Sequence, residues 1–173
     1  MKSETIKIDN TGRGFAEAIA EARRAAAGAG MGETETLRVE ILAEEMLSLA
    51  RSITGEMSAS FWVELENGRA DLHMNTKTVL DKEKRAMLIA SSTSKKNEAA
   101  GTFLGRLRDM VEKAMTADAK HYALPTDILG DISGDEYEAE WDGYERSILR
   151  RLADEIKIGI QGGVVSITVS KRF

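Results

Sequence analysis

Apolar and polar positions alternate along this chain with two periods, and each period predicts an element. In Thr5-Ile6-Lys7-Ile8 every second residue is apolar, which predicts a short strand with Ile6 and Ile8 on one face. Asp9-Asn10-Thr11-Gly12 reads as a turn. From 14 to 27 the spacing becomes helical, with Phe15, Ala18, Ile19, Ala22 and Ala26 in register. Gly28-Ala29-Gly30-Met31-Gly32 stops that helix. A second helix spans about 36 to 53, with Thr34 or Thr36 as its cap. Val39, Leu42, Met46, Leu49, Ala50 and Ile53 share one arc of it, opposite Glu40, Glu44, Ser48 and Arg51, and Glu45 falls on the border.

Two hairpins carry the clearest register. Asn67-Gly68 is a favoured two-residue turn, and centring it there pairs Leu65 with Ala70, Val63 with Leu72 and Phe61 with Met74. The other face then pairs Trp62 with His73 and Ser60 with Asn75. A turn at Gly162-Gly163 pairs Ile160 with Val165, Ile158 with Ile167 and Ile156 with Val169. A slip of one residue would expose every one of those isoleucines. Between the hairpins the pattern predicts a helix over 81 to 90 with Met87 and Leu88 inward, then the polar loop Ser91-Ser92-Thr93-Ser94-Lys95-Lys96-Asn97. Asn97 is placed to cap a helix running to about 115, with Ala100, Leu104, Leu107, Val111 and Ala114 in register. Residues 118 to 134 read as irregular, and a helix follows from about 136 to 153.

Each strand has a single apolar face, so one side of the sheet must be roofed and the other left polar. The expectation is an α+β fold: a two-layer α/β sandwich, with a mixed, mostly antiparallel sheet of about five strands and helices on one face. It forms a single domain over residues 1–173, with an irregular or helical insertion at about 116–150.

Composition narrows the chemistry. The net charge of −5 gives no global attraction for nucleic acid or anionic lipid. There is no cysteine and there are only two histidines, which excludes thiolate catalysis and Cys- or His-rich metal centres. No apolar run reaches the length of a membrane span, and Met1-Lys2-Ser3-Glu4-Thr5 does not open a signal peptide, so a cytoplasmic protein is expected. Several patterns hint at sites. Gly28, Gly30 and Gly32 resemble a dinucleotide fingerprint but follow a helix instead of a strand, which makes them a helix stop. Gly12-Arg13-Gly14 sits between strand and helix, as a turn or as an anion cradle. Glu45, at the border of an apolar face, is a candidate general base or a solvated helix acid. His73 reads as a structural partner of Trp62. The stretch from Ser91 to Gly105 is either a loop that closes over a phosphate ligand or a solvated loop.

The order of elements, with the helix Leu42-Ala43-Glu44-Glu45-Met46-Leu47-Ser48-Leu49-Ala50, resembles the Bergerat-fold ATP-binding domain of histidine kinases and gyrase, the GHKL superfamily. It is most similar to the small anti-sigma-factor serine kinases. The resemblance covers residues 5 to about 115 and 150 to 173. It implies that Glu45 corresponds to the glutamate that orients the attacking water or hydroxyl. The family's magnesium-ligating asparagine falls at Leu49, which has no oxygen to offer a hard cation. The adenine-reading aspartate has Asn75 or Thr76 as its nearest equivalent, and the glycine-rich turn looks like Gly101-Thr102-Phe103-Leu104-Gly105. Ser48, Ser94, Lys95, Lys96, Gly101 and Gly105 complete the implied nucleotide site.

The resemblance therefore implies a degenerate ATPase-fold signalling or regulatory domain, bacterial in type. It would bind a protein partner, with ATP held weakly or not at all, no Mg²⁺ and no metal site. Whether it is an enzyme stays open, with the missing ligand weighing against. One alternative is an active serine kinase or ATPase, with Glu45 as base and Ser48 or Asn75 standing in at the metal or adenine. Another is a ligand-free homodimeric interaction module anchored by Trp62 and by the helix around Trp141 and Tyr144.

Overall fold

The computed structural model describes residues 1–9, 11–54, 58–100 and 148–173. Strand β1 (Ile6–Asp9) leads into α1 (Phe15–Gly28) and α2 (Glu33–Thr54). The hairpin β2 (Ser58–Glu66) and β3 (Arg69–Lys77) follows, then α3 (Lys82–Ser91) and a single 3₁₀ turn, Glu98–Ala100. A short helix, α4 (Ile148–Leu152), precedes the terminal hairpin of β4 (Glu155–Gln161) and β5 (Val164–Arg172). Of the helix expected from Asn97 to about 115 only the 3₁₀ turn at Glu98–Ala100 is described, and the irregular segment and most of the helix expected over 136 to 153 lie outside the described residues.

The five strands form one sheet in the order β1-β2-β3-β5-β4, and every neighbouring pair is antiparallel. All six apolar pairings expected from the two turns are present, from Leu65 with Ala70 to Ile156 with Val169. Asn67 and Gly68 both take positive φ, 50° and 72°, as their two-residue turn requires. The apolar strand residues are buried on one side: Ile6, Ile8, Phe61, Val63, Leu72, Met74, Ile158, Ile167 and Val169 are at most 6% exposed. The helices supply the other half of that core through Ala22, Ala26, Leu42, Met46, Leu88 and Leu149. The two-layer expectation holds.

The helix ends follow local chemistry. At the close of α1, Gly30 has φ 79°, its N–H donates to Ala27 O, and the N–H of Met31 reaches Ala26 O. That is a Schellman stop, which settles the Gly28–Gly32 cluster as a helix terminator. Helix α2 begins three residues earlier than expected. Gly32 N–H donates to the Glu35 carboxylate at 2.9 Å, so Glu35 reaches back over the first turn and neither Thr34 nor Thr36 is the cap. Its buried surface is also wider than the predicted arc and takes in Ala43 and Leu47, because α1, α3, α4 and β3 all touch it. Asp81 caps α3, its carboxylate accepting from Lys84 N–H at 2.7 Å.

Both sheet edges are occupied. At β1, Asp9 N–H donates to Arg13 O, and Gly14 packs so closely on Lys7 that a Cβ would stand 2.1 Å from its carbonyl oxygen. At β4, the chain after α3 runs along the strand. Thr93 N–H donates to Ile156 O, and Ile156 N–H donates to Thr93 Oγ1. Asn97 bridges Ile158 in parallel, and its side chain accepts from Ile160 N–H at 2.8 Å while donating to Ile160 O at 2.9 Å. A single amide side chain thus does what a neighbouring strand would do for that residue.

Candidate functional site

The covered side of the sheet holds some of the residues that the resemblance marks. Glu45 and Leu49 lie one turn apart on α2, Glu45 half-buried and Leu49 8% exposed within the core. Ser48 is on the solvent side of the same helix. Thr76 sits near the end of β3 on the covered face, opposite Ala59 and Val165. It is 1% exposed, and its hydroxyl oxygen has no hydrogen-bond partner among the described residues. A buried, unanswered hydroxyl is uncommon in a folded protein.

The remaining residues are dispersed. Asn75 is exposed on the opposite face of the sheet, in one row with Ser60 and Ser166. Strand alternation therefore separates it from Thr76, and only one of the two can share a site with Leu49. Ser94, Lys95 and Lys96 are exposed in the loop that runs outside β4. Three strand spacings, about 14 Å, separate that loop from β3. There Ser94 Oγ donates to Glu98 at 2.7 Å and accepts from Lys96 N–H at 3.3 Å. Gly101 and Gly105 lie outside the described residues. Among the described residues, no group of three or more His, Asp or Glu side chains is placed to hold a metal ion.

The Gly12–Gly14 turn is occupied from within the chain. The Asp9 carboxylate accepts from Thr11 N–H, Thr11 Oγ1 and Arg13 N–H, so those amides already hold an anion. The Thr11 hydroxyl, first among these donors, holds the Asp9 pKa below its ordinary value.

The open face of the sheet carries the densest polar constellation. Trp62 and His73 face each other across β2 and β3, their rings stacked 13° from parallel with centroids 5.1 Å apart. That is the cross-strand pair expected from the register. Lys2 pairs beside Glu64 on the outer side of β2, with its ammonium 4.9 Å from the Trp62 ring centroid and 3.2 Å from Glu64. Trp62 Nε1–H donates to Glu64 at 3.1 Å. These two contacts, Lys2 before Trp62, hold the Glu64 pKa low. His73 Nδ1 meets Thr168 Oγ1 at 3.2 Å, while Nε2 is buried without a hydrogen-bond partner among the described residues, 3.7 Å from Glu64 Oε2. Burial pushes the His73 pKa down, opposed by the charges of Glu64 and Asp71.

Two roles were not legible in the sequence. Asn97 looked like a helix cap. It does accept from Ala99 N–H at 3.2 Å, but its main engagement is with β4, 63 residues further on. Glu21, in the middle of α1, is buried at 5% exposure, accepts from Glu4 N–H at 3.0 Å and is held by Arg24. Its helical position, next to Ala22 on the inward arc, was the available signal.

Among the described residues no helix is long and apolar enough to cross a membrane. No protein-family model matches this chain, and no curated protein matches it significantly.

Proposed function

We propose that this chain is a degenerate Bergerat-type domain that acts in signalling by binding a protein partner, with its nucleotide site weakened or lost. The observation that carries the reading is Leu49. It stands one turn after Glu45 on α2, at the position the resemblance gives to the magnesium ligand, and its side chain is part of the hydrocarbon core. Phosphoryl transfer depends on a cation that neutralises the phosphate oxygens, and an isobutyl group supplies no oxygen to hold one. The element order by which the sequence resembles the family, with two helices between the first strand and the central hairpin and a second hairpin at the end, supports the same reading.

Thr76 defines what a residual ligand would meet. Its unpartnered hydroxyl is a neutral donor and acceptor where the family's adenine reader is an acidic acceptor. The open sheet face, with no described helix over Trp62 and His73, is the surface left for a protein. Calorimetry with ATP, with and without Mg²⁺, tests the reading. Absent or millimolar binding that Mg²⁺ does not improve is the expected result. Micromolar binding that requires Mg²⁺ refutes it and returns the active kinase with substituted ligands.

A further inference from the structure

Residues 1–3 lie along the outer edge of β2, beyond the end of its pairing with β1. Ser3 N–H donates to Val63 O at 2.8 Å, Val63 N–H to Ser3 Oγ at 2.9 Å, and Leu65 N–H to Met1 O at 2.7 Å. On the open face the same segment is tied down by charge, since the Lys2 ammonium reaches Glu64 across the Trp62 ring. Glu64 has a second cationic claimant on its other side. His73 Nε2 is buried, has no hydrogen-bond partner among the described residues and stops 3.7 Å short of Glu64 Oε2. That gap fits a neutral imidazole whose Nδ1–H is turned to Thr168, because the bare Nε2 lone pair and a carboxylate oxygen have no proton to share.

We propose that His73 is a proton-sensitive latch on the opening segment: on gaining a proton at Nε2 it draws Glu64 away from Lys2 and loosens residues 1–3 from the edge of β2. A charged N–H···O⁻ contact closes to about 2.8 Å, so the carboxylate must swing roughly 0.9 Å toward β3. That motion lengthens the Lys2 and Trp62 contacts now made to Oε1. The new charge also repels the Lys2 ammonium. Three charged groups bear on His73 among the described residues: Glu64 from β2, Asp71 from its own strand and Lys2 from the opening segment. Lys157, two strands away in the same cross-strand row, is engaged by Glu155 at 3.1 Å, and Asp71 by Arg69 at 2.9 Å, which leaves Glu64, 3.7 Å from Nε2, to receive the new charge. Glu64 stays ionised throughout the relevant range, because its own pKa is held down. The latch is modest in size, since Lys2 and Glu64 are both about half exposed. Its release corresponds to about a two- to five-fold change in local opening.

The test is hydrogen exchange by NMR on the intact chain between pH 8 and pH 5, with the imidazole shifts of His73 followed in the same samples. Protection of the Ser3 and Leu65 amides is taken relative to Leu72 in the centre of β3, which cancels the chemistry of exchange itself. The expected result is a two- to five-fold loss of relative protection that tracks the His73 titration midpoint. His73→Asn should abolish that dependence. Glu64→Gln should start from the loosened level and show no further change while His73 still titrates. A titrating His73 with constant protection overturns the proposal. So does an unchanged pH response in either variant.

Discussion

Replacing Asn97 with alanine should unlock the β4 edge, and the structure gives the size of the effect. The side chain is 9% exposed, accepts from Ile160 N–H at 2.8 Å and donates to Ile160 O at 2.9 Å. Truncation removes both bonds to Ile160, as well as the one accepted from Ala99 N–H, and leaves the Ile160 donor and acceptor in a site closed to most water. A single net hydrogen bond contributes about 1 kcal/mol, and each group left without a partner costs about 1–3 kcal/mol. Local relaxation and entering water recover part of that, so Asn97→Ala should lose about 2–4 kcal/mol. With a urea slope of about 2 kcal/mol/M the midpoint falls by roughly 1–2 M. Equilibrium urea unfolding followed by circular dichroism reads this directly. Asn97→Asp is the sharper control. At neutral pH its carboxylate still accepts from Ile160 N–H but sets a second oxygen against Ile160 O. In acid the protonated form donates to that carbonyl, so part of the loss should be regained relative to wild type at the same pH. A loss below about 0.5 kcal/mol in Asn97→Ala, or no acid recovery in Asn97→Asp, would refute the view that this amide substitutes for a strand. An exposed edge also invites pairing between copies, so Asn97→Ala should sediment with a stronger concentration dependence than the parent.

Gly14→Ala should unfold at markedly lower temperature than Gly12→Ala. Both glycines have φ near 85°, but only at Gly14 would the new methyl meet backbone, 2.1 Å from Lys7 O, while Gly12 has open space. The common conformational cost is about 1 kcal/mol, and the clash adds to it only at Gly14; equal melting temperatures would contradict this. Phe61→Ala, at a fully buried position opposite both Ile6 and Met74, should cost about 3–5 kcal/mol in the same urea assay. The pKa values of Asp9 and Asp154 are lowered in the fold, chiefly by the Thr11 hydroxyl and by Lys171. A depressed carboxylate contributes stability above its unfolded pKa, near 3.8, and loses it as the pH falls through the lower folded value. Melting curves should therefore weaken below about pH 3.8, with a shallower acid slope in Asp9→Asn and Asp154→Asn.

The parts of the fold that could be read from the sequence are those where a local rule and a burial rule agree. Asn67-Gly68 and Gly162-Gly163 each set a turn, and alternation of isoleucine, valine and leucine then left one register that buries them all. Since every strand had a single apolar face, the polar underside with Trp62 against His73 followed from the same arithmetic. What stayed hidden depends on distance along the chain. Nothing near Asn97 or Thr93 reveals that their side chains will meet Ile160 and Ile156, some 63 residues later, because an unpaired strand edge has no sequence pattern of its own. The start of α2 was misplaced for a related reason: a threonine is a common cap, yet a glutamate three residues past a glycine served that end equally well.

The candidate site was legible only as a set of positions, and the fold sorts that set by strand parity and helix angle. Asn75 and Thr76 looked interchangeable as nearest equivalents of one family residue, but adjacent residues on a strand point to opposite faces. Asn75 therefore belongs to the open polar face, and Thr76 alone shares the covered side with Glu45 and Leu49. The same reasoning separates Ser48, exposed on α2, from Leu49, which is buried one residue later. A ligand that reached both Thr76 and the lysines outside β4 would have to span about 14 Å of sheet, the width of three strand spacings. Of the residues the resemblance marks, the covered side then holds one carboxylate, Glu45, one hydroxyl, Thr76, and the hydrocarbon of Leu49. The open face combines an aromatic stack with a carboxylate that is paired with Lys2 and stands 3.7 Å from His73, so a proton gained there is the change that would alter which groups are paired.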